Sequence, residues 1–102
     1  MYTRKLEKDF GCPLEAALEV VSGKWKTRII GPLYRKGTVR FGDLRKELDG
    51  VSDAVLSSVL REMQKYGLIR RTAYNEIPLR VEYSLTDAGY KLVPIFESLC
   101  EW

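Results

Sequence analysis

Between Ser52 and about Tyr66 the chain sets Ala54, Ser57, Ser58 and Arg61 along one side of a helical repeat, with Asp53, Gln64 and Lys65 beside them. At about 100° per residue, Val55, Leu56, Val59, Leu60, Met63 and Tyr66 fall on the other side. Small side chains let another molecule approach a helix backbone closely. Hydroxyls donate and accept hydrogen bonds, and a guanidinium donates several, so the set suits base edges or phosphate oxygens. An ordinary solvated helix also carries small polar residues outside, so this face needs support from the rest of the chain.

Charge gives some of that support. Residues 24 to 46 hold Lys24, Lys26, Arg28, Arg35, Lys36, Arg40, Arg45 and Lys46 against one acid, Asp43. Residues 86 to 102 hold Asp87, Glu97 and Glu101 against Lys91 alone. The net charge is only +3, so the distribution says more than the sum. A basic front suits a polyanion.

Other chemistries are poorly served. The chain has no histidine, which excludes His-based nucleophile–base pairs. Two cysteines, Cys12 and Cys100, cannot alone complete a tetrahedral zinc site, and so far apart they are not a disulfide framework. With no glycine-rich phosphate loop and no evident carboxylate pair, neither an enzyme, a metal nor a cofactor is expected. Reduced thiols fit a cytoplasmic protein. No apolar run approaches the roughly 20 residues of a membrane span. Tyr2 to Phe10 is too charged to read as a leader.

The elements that must position these residues follow from periodicity. At 102 residues and 45% hydrophobic, a single domain over 1-102 with a small core is expected. Phe41 to Leu48 predicts a short helix with Phe41, Leu44 and Leu48 on one face, broken by Asp49-Gly50-Val51. Ser52 caps the longer helix and Gly67 stops it. Leu68 to Tyr74 and Leu79 to Leu85 read as a hairpin. In its second strand Leu79, Val81, Tyr83 and Leu85 alternate with Arg80, Glu82 and Ser84. A helix-turn-helix followed by a hairpin is the layout of a winged helix, which usually puts its second helix in the major groove of DNA. Asn75-Glu76-Ile77-Pro78 is then the wing tip. Arg70 and Arg71 are expected to pair with Glu76 and Glu82, leaving Arg80 freer for the DNA backbone or minor groove.

Helices flank this device. Pro13 to Val21 carries Leu14, Ala17, Leu18 and Val21 on one stripe. Lys24 to about Lys36 turns Trp25, Ile29 and Leu33 inward, and Pro32 predicts a kink or an early stop. Thr86 caps a last helix striped by Leu92, Ile95, Phe96 and Leu99, with a bend expected at Pro94. The two terminal stripes exceed what a small core covers, which predicts a homodimer through the terminal helices. The fold class is therefore mainly α with a small β-hairpin: a winged helix-turn-helix with N- and C-terminal dimerisation helices. Its parts are an arm and helix over 1-22, the helix-turn-helix and wing over 24-85, and a dimerisation helix over 86-102. An apolar effector would suit a place between the terminal helices and the core, although core packing explains those stripes equally well.

Cys12 precedes Pro13 and is read as the N-cap of the first helix. A thiolate there is stabilised by free N–H groups and the helix dipole, which is one way to build a thiol sensor. Packing at a helix start is the plainer alternative. Cys100, on the apolar side of the last helix, is expected to be buried and inert.

Several segments together resemble the HxlR-type winged helix-turn-helix regulators, which are MarR-like in architecture. They are Cys12-Pro13, Gly23-Lys24-Trp25-Lys26, Arg40-Phe41 with Leu44, Leu60-Arg61-Glu62, Tyr66-Gly67-Leu68-Ile69, Pro78 to Thr86 and Leu99-Cys100-Glu101-Trp102. The resemblance spans residues 12 to 102 and departs at Gly31-Pro32, where relatives run on as apolar helix. It implies a dimeric bacterial or archaeal regulator of double-stranded DNA, with Ser52 to Arg61 reading the major groove and the 75 to 80 loop as wing. It also implies a reactive cysteine at Cys12, since some members place one there.

The expected function is thus sequence-specific DNA binding in transcription, as a repressor, with a possible redox or electrophile response through Cys12. The alternative is a winged-helix module for protein contact without DNA. Phosphate contacts are expected from Lys24, Lys26, Arg40 and Arg80, and base contacts from Ala54, Ser57, Ser58 and Arg61. Ser52 and Asn75 complete the candidate interface. The operator is expected to be an inverted repeat.

Overall fold

Cys12 has extended backbone (φ −125°, ψ 121°), and Pro13 follows at the first helical position, where its missing N–H costs nothing. This begins α1 (Pro13–Val21) in a computed structural model that describes residues 12–102. Then come α2 (Lys24–Lys36), β1 (Thr38–Arg40), α3 (Phe41–Glu47), α4 (Asp53–Lys65), β2 (Ile69–Tyr74), β3 (Arg80–Leu85) and α5 (Asp87–Glu101). The fold is the winged helix-turn-helix that the sequence predicts, with α3 and α4 as the helix pair and β2–β3 as the wing. The expected arm before Cys12 lies outside the described residues.

Two elements differ from expectation. Pro32 does not stop α2, which runs on to Lys36. Proline there removes one backbone bond, while Ile29, Ile30, Pro32 and Leu33 are all buried, so tertiary packing carries the helix through. Thr38–Arg40 forms a third strand, too short to show a period in sequence. Val39 is buried while Thr38 and Arg40 are exposed. The antiparallel sheet has the order β1-β3-β2, with Arg40 opposite Glu82 and Tyr74 opposite Arg80.

The core forms where α2, α3 and α4 meet the sheet. Ile29, Leu33, Leu44, Leu56, Leu60 and Met63 are fully buried, and Tyr83 and Leu85 of β3 close over them. Each such side chain contributes about 1.5–3 kcal/mol by leaving water. The buried stripe of α4 is narrower than the helical wheel predicts. Val55 is exposed, and Val59 and Tyr66 are only partly covered, because α4 is packed on one side alone.

Local chemistry holds α4 at both ends. The Ser52 hydroxyl accepts the Val55 N–H at 3.2 Å, an N-cap. Gly67 takes φ 75°, and the Leu68 N–H donates to the Met63 carbonyl at 2.9 Å, which closes the last turn. The start of α5 is set against this turn. The Thr86 hydroxyl accepts the Gly89 N–H at 3.2 Å, as the predicted cap. A β-carbon on Gly89 would stand 2.3 Å from the Leu68 carbonyl oxygen, so only glycine allows this approach.

The terminal helices are less well covered. α1 buries none of its residues, and Leu14 is 65% exposed. On α5, Val93 is buried while Ile95 and Leu99 are 55% and 59% exposed. Among the described residues no helix is long and apolar enough to cross a membrane.

Candidate nucleic-acid interface

The outer side of α4, the start of α3 and the hairpin enclose a groove of about 700 Å³. Arg40, Ser57, Arg61, Gln64, Arg71 and Arg80 supply its polar groups, and Leu79, Val81 and Tyr83 part of its apolar wall. Among the described residues no acid lines it. Its four arginines come from four places in the chain: the β1–α3 junction, α4, β2 and β3. Of the sequence-predicted residues, the groove brings together Arg40, Ser57, Arg61 and Arg80.

Strand register decides which arginines are free. Residues opposite one another in an antiparallel pair share a face. Arg71 lies opposite Tyr83, on the face that turns toward α4, and Arg70 lies opposite Ser84. Neither meets an acid, and both are exposed without an ion pair among the described residues. Arg61 is likewise exposed and unpaired. Arg80 shares its strand face with Glu82. Its guanidinium lies 3.0 Å from Glu76 Oε2 and 3.6 Å from Glu82 Oε2, and 3.9 Å above the Tyr74 ring. The sequence expectation is therefore reversed: Arg80 is the paired arginine, and Arg70 and Arg71 are the free ones. Arg40, directly opposite Glu82, is 4.0 Å from the same carboxylate.

The rest of α4 presents the expected face. Ala54 and Ser58 are exposed just outside the groove, and Asp53 is held by Arg45 at 3.1 Å, which fastens α3 to the first turn of α4. The Ser52 oxygen is engaged as the helix cap. Asn75 is exposed at the wing tip but does not line the groove. Lys24, exposed and 4.7 Å from the Trp25 ring, stands in the first turn of α2 and also lies outside it.

Lys26 is not a phosphate contact. It is only 5% exposed, donates to the Val20 carbonyl at 2.9 Å and lies 3.3 Å from Glu62 Oε1. The reason is helical phase. Lys26, Ile29, Ile30 and Leu33 stand at i, i+3, i+4 and i+7, so the lysine belongs to the buried face of α2. Trp25, expected in the core, is only half-buried at its edge, flanked by Lys24 and Arg28.

Two polar residues of the groove are missing from the sequence-predicted contacts. Arg71 follows Ile69 by two positions and so shares the inward face of β2, and Gln64 follows Arg61 by one helical turn. The thiols also part from expectation. Cys12 occupies the N-cap position, half-buried, but its side chain makes no capping hydrogen bond. Cys100 is exposed rather than buried, because nothing among the described residues covers the outer end of α5. It lines a second groove of about 880 Å³ between α2 and α5, with Ile30, Val93 and Phe96.

Residues 20–102 match the family described as HxlR-like helix-turn-helix. The chain belongs to that family. The HTH-type transcriptional regulator YdzF of Bacillus subtilis is 40% identical over 90 residues, which cover 88% of this chain and 83% of YdzF. An HTH-type regulator of Methanothermobacter thermautotrophicus is 36% identical over 96 residues, 94% of this chain and 72% of its own. Among solved structures, a MarR-family transcriptional regulator from Enterococcus faecalis superposes with a TM-score of 0.83 at 42% identity, covering 98% of this chain and 90% of its own. The redox regulator HypR in its oxidised form gives 0.81 at 36% identity, covering 89% and 93%. Membership in the HxlR-like family makes this a transcriptional regulator of the helix-turn-helix class and favours DNA binding over a winged helix used for protein contact alone.

Proposed function

We propose that the chain is a homodimeric repressor that lays the outer side of α4 in the major groove and the β2–β3 wing along the adjoining backbone. The observation that carries this reading is the acid-free groove in which the unpaired Arg61 and Arg71 meet Ser57 and Gln64 beside the open N-terminal half of α4. Arginine donates in pairs to guanine edges, and small residues let the α4 backbone come close. Base contacts fall to Ala54, Ser57, Ser58 and Arg61. Phosphate contacts fall to Arg40, Arg71 and the wing around Arg80, with Lys24 and Asn75 at the margins. The apolar faces of α1 and α5 supply the dimer contact, so the operator is an inverted repeat with half-site centres about 10 bp apart or a multiple of that.

A salt titration tests this reading against the protein-contact alternative. With several phosphates neutralised per protomer, affinity should fall roughly 10³–10⁵-fold between about 50 and 200 mM salt. A flat response would favour protein contact. Bacterial and archaeal relatives, and the absence of a spanning helix among the described residues, fit a cytoplasmic regulator.

The likeness to HypR, solved in oxidised and reduced forms, supports a second role for Cys12 as a thiol switch at the start of α1. Oxidation should then change operator affinity in the wild type and not in Cys12→Ser. An equal change in both removes the switch.

A further inference from the structure

We propose that Lys26 is a positioning residue, a tie between α1 and α4 that sets how the two reading helices of a dimer are spaced. The inference rests on α4 as the reading helix and α1 as part of the dimer contact. Its basis is one buried ammonium shared by both helices. Lys26 leaves the first turn of α2 and reaches the carbonyl of Val20 at 2.9 Å, one of the last carbonyls of α1, which have no partner inside their own helix. α1 has no basic residue in its own last turn, so the cation that suits its C-terminal dipole comes from α2. The same ammonium lies 3.3 Å from Glu62 and 5.4 Å from the Tyr66 ring, both at the C-terminal end of α4.

Burial gives the tie its stiffness. A charge taken out of water must keep its partners, because leaving one unpaired costs far more than the bond itself contributes. If α1 swings away from the body, Lys26 loses the Val20 carbonyl. If the end of α4 moves, it loses Glu62. Among the described residues, α1 buries none of its side chains, and Val20 is only partly covered. Lys26 therefore links the direction of α1 to the end of α4. In a dimer joined through α1 and α5, that direction passes into the separation of the two α4 helices.

The test uses the full chain with Glu62→Gln and Lys26→Met. Glu62 is half-exposed, so its variant should fold, and it lies on α4, remote from α1 in sequence. The first readout is amide hydrogen exchange over residues 13 to 21. The second is affinity for a duplex with both half-sites divided by affinity for one half-site. In Glu62→Gln we expect α1 amides to exchange about three- to tenfold faster, the scale of one partly screened charge-assisted bond. The two-site advantage should fall by a similar factor, with single-site affinity held. Lys26→Met should show the same pattern more strongly, and if it fails to fold, Glu62→Gln decides alone. Unchanged α1 exchange and an unchanged ratio in Glu62→Gln would overturn the tie. Loss of all DNA selectivity in the wild type would instead overturn the DNA reading, and the positioning role with it, while the exchange data still decide whether the tie exists.

Discussion

The groove beside α4 and the outer faces of α1 and α5 are both open surfaces, but they are open in different ways. In the groove the exposed groups are charged and oriented by neighbours. Register aims Arg71 toward α4, Glu76 and Glu82 hold Arg80, and the core pins α4 beneath Arg61. On the terminal helices the exposed groups include apolar ones, such as Leu14, Ile95 and Leu99, and nothing among the described residues covers them. An unpaired cation beside an acid-free wall calls for a polyanion. An uncovered aliphatic stripe calls for another aliphatic stripe. One surface therefore points to the ligand and the other to the assembly, and Lys26 stands between the elements that carry them.

The sharpest way to break that comparison is to remove the same side chain from the core beneath the groove and from the open face of α5. Leu60→Ala, in the packed side of α4, should lower unfolding stability by about 2–5 kcal/mol in a urea titration. Leu99→Ala should barely change that value in dilute protein, yet weaken dimerisation in sedimentation. Equal stability losses would mean that α5 is packed as tightly as α4. Next in size is Gly89→Ala, where a methyl meets the Leu68 carbonyl. It should cost about 1–3 kcal/mol by displacing α5 from the α4–β2 turn, read as a drop in melting temperature.

Smaller effects separate the arginines. Arg71→Ala should weaken binding to all duplexes alike and lower the salt slope by about one, as for a phosphate contact. If it instead changes which sequence is bound, Arg71 reads bases. The smallest effect lies at Glu47, whose carboxyl is held below its ordinary value mainly by the hydrogen bond from Lys36, helped by Arg35. A depressed folded value means that this contribution is complete above the ordinary 4.5 and disappears as pH falls through the lowered one. The stability gap between wild type and Glu47→Gln should therefore be slight at neutral pH and close below that range. A gap that widens in acid would reverse the sign.

Much of this architecture is legible in one dimension because its signals are local. Ser52 and Thr86 cap helices, Gly67 stops one, and Leu56, Leu60 and Met63 repeat at helical spacing. What is lost depends on partners. Lys26 reads as surface charge until its phase with Ile29, Ile30 and Leu33 is counted. Arg71 and Arg80 cannot be told apart without the register that sets Arg71 across from Tyr83 and Arg80 across from Tyr74. Thr38–Arg40 is too short to show a period, and only its pairing with β3 makes it a strand. Cys100 sits on an apolar stripe, but a stripe does not say whether anything covers it.

In the proposed function, α4 reads DNA through Arg61 in a two-fold assembly. Selection of genomic fragments by the purified chain, beside Arg61→Ala, tests it most directly. The account predicts an inverted repeat with half-sites about 10 bp apart or a multiple of that. In Arg61→Ala, binding should weaken by roughly 1–3 kcal/mol and one position of each half-site should become degenerate. No enriched sequence, or an identical motif bound equally well by Arg61→Ala, would contradict it.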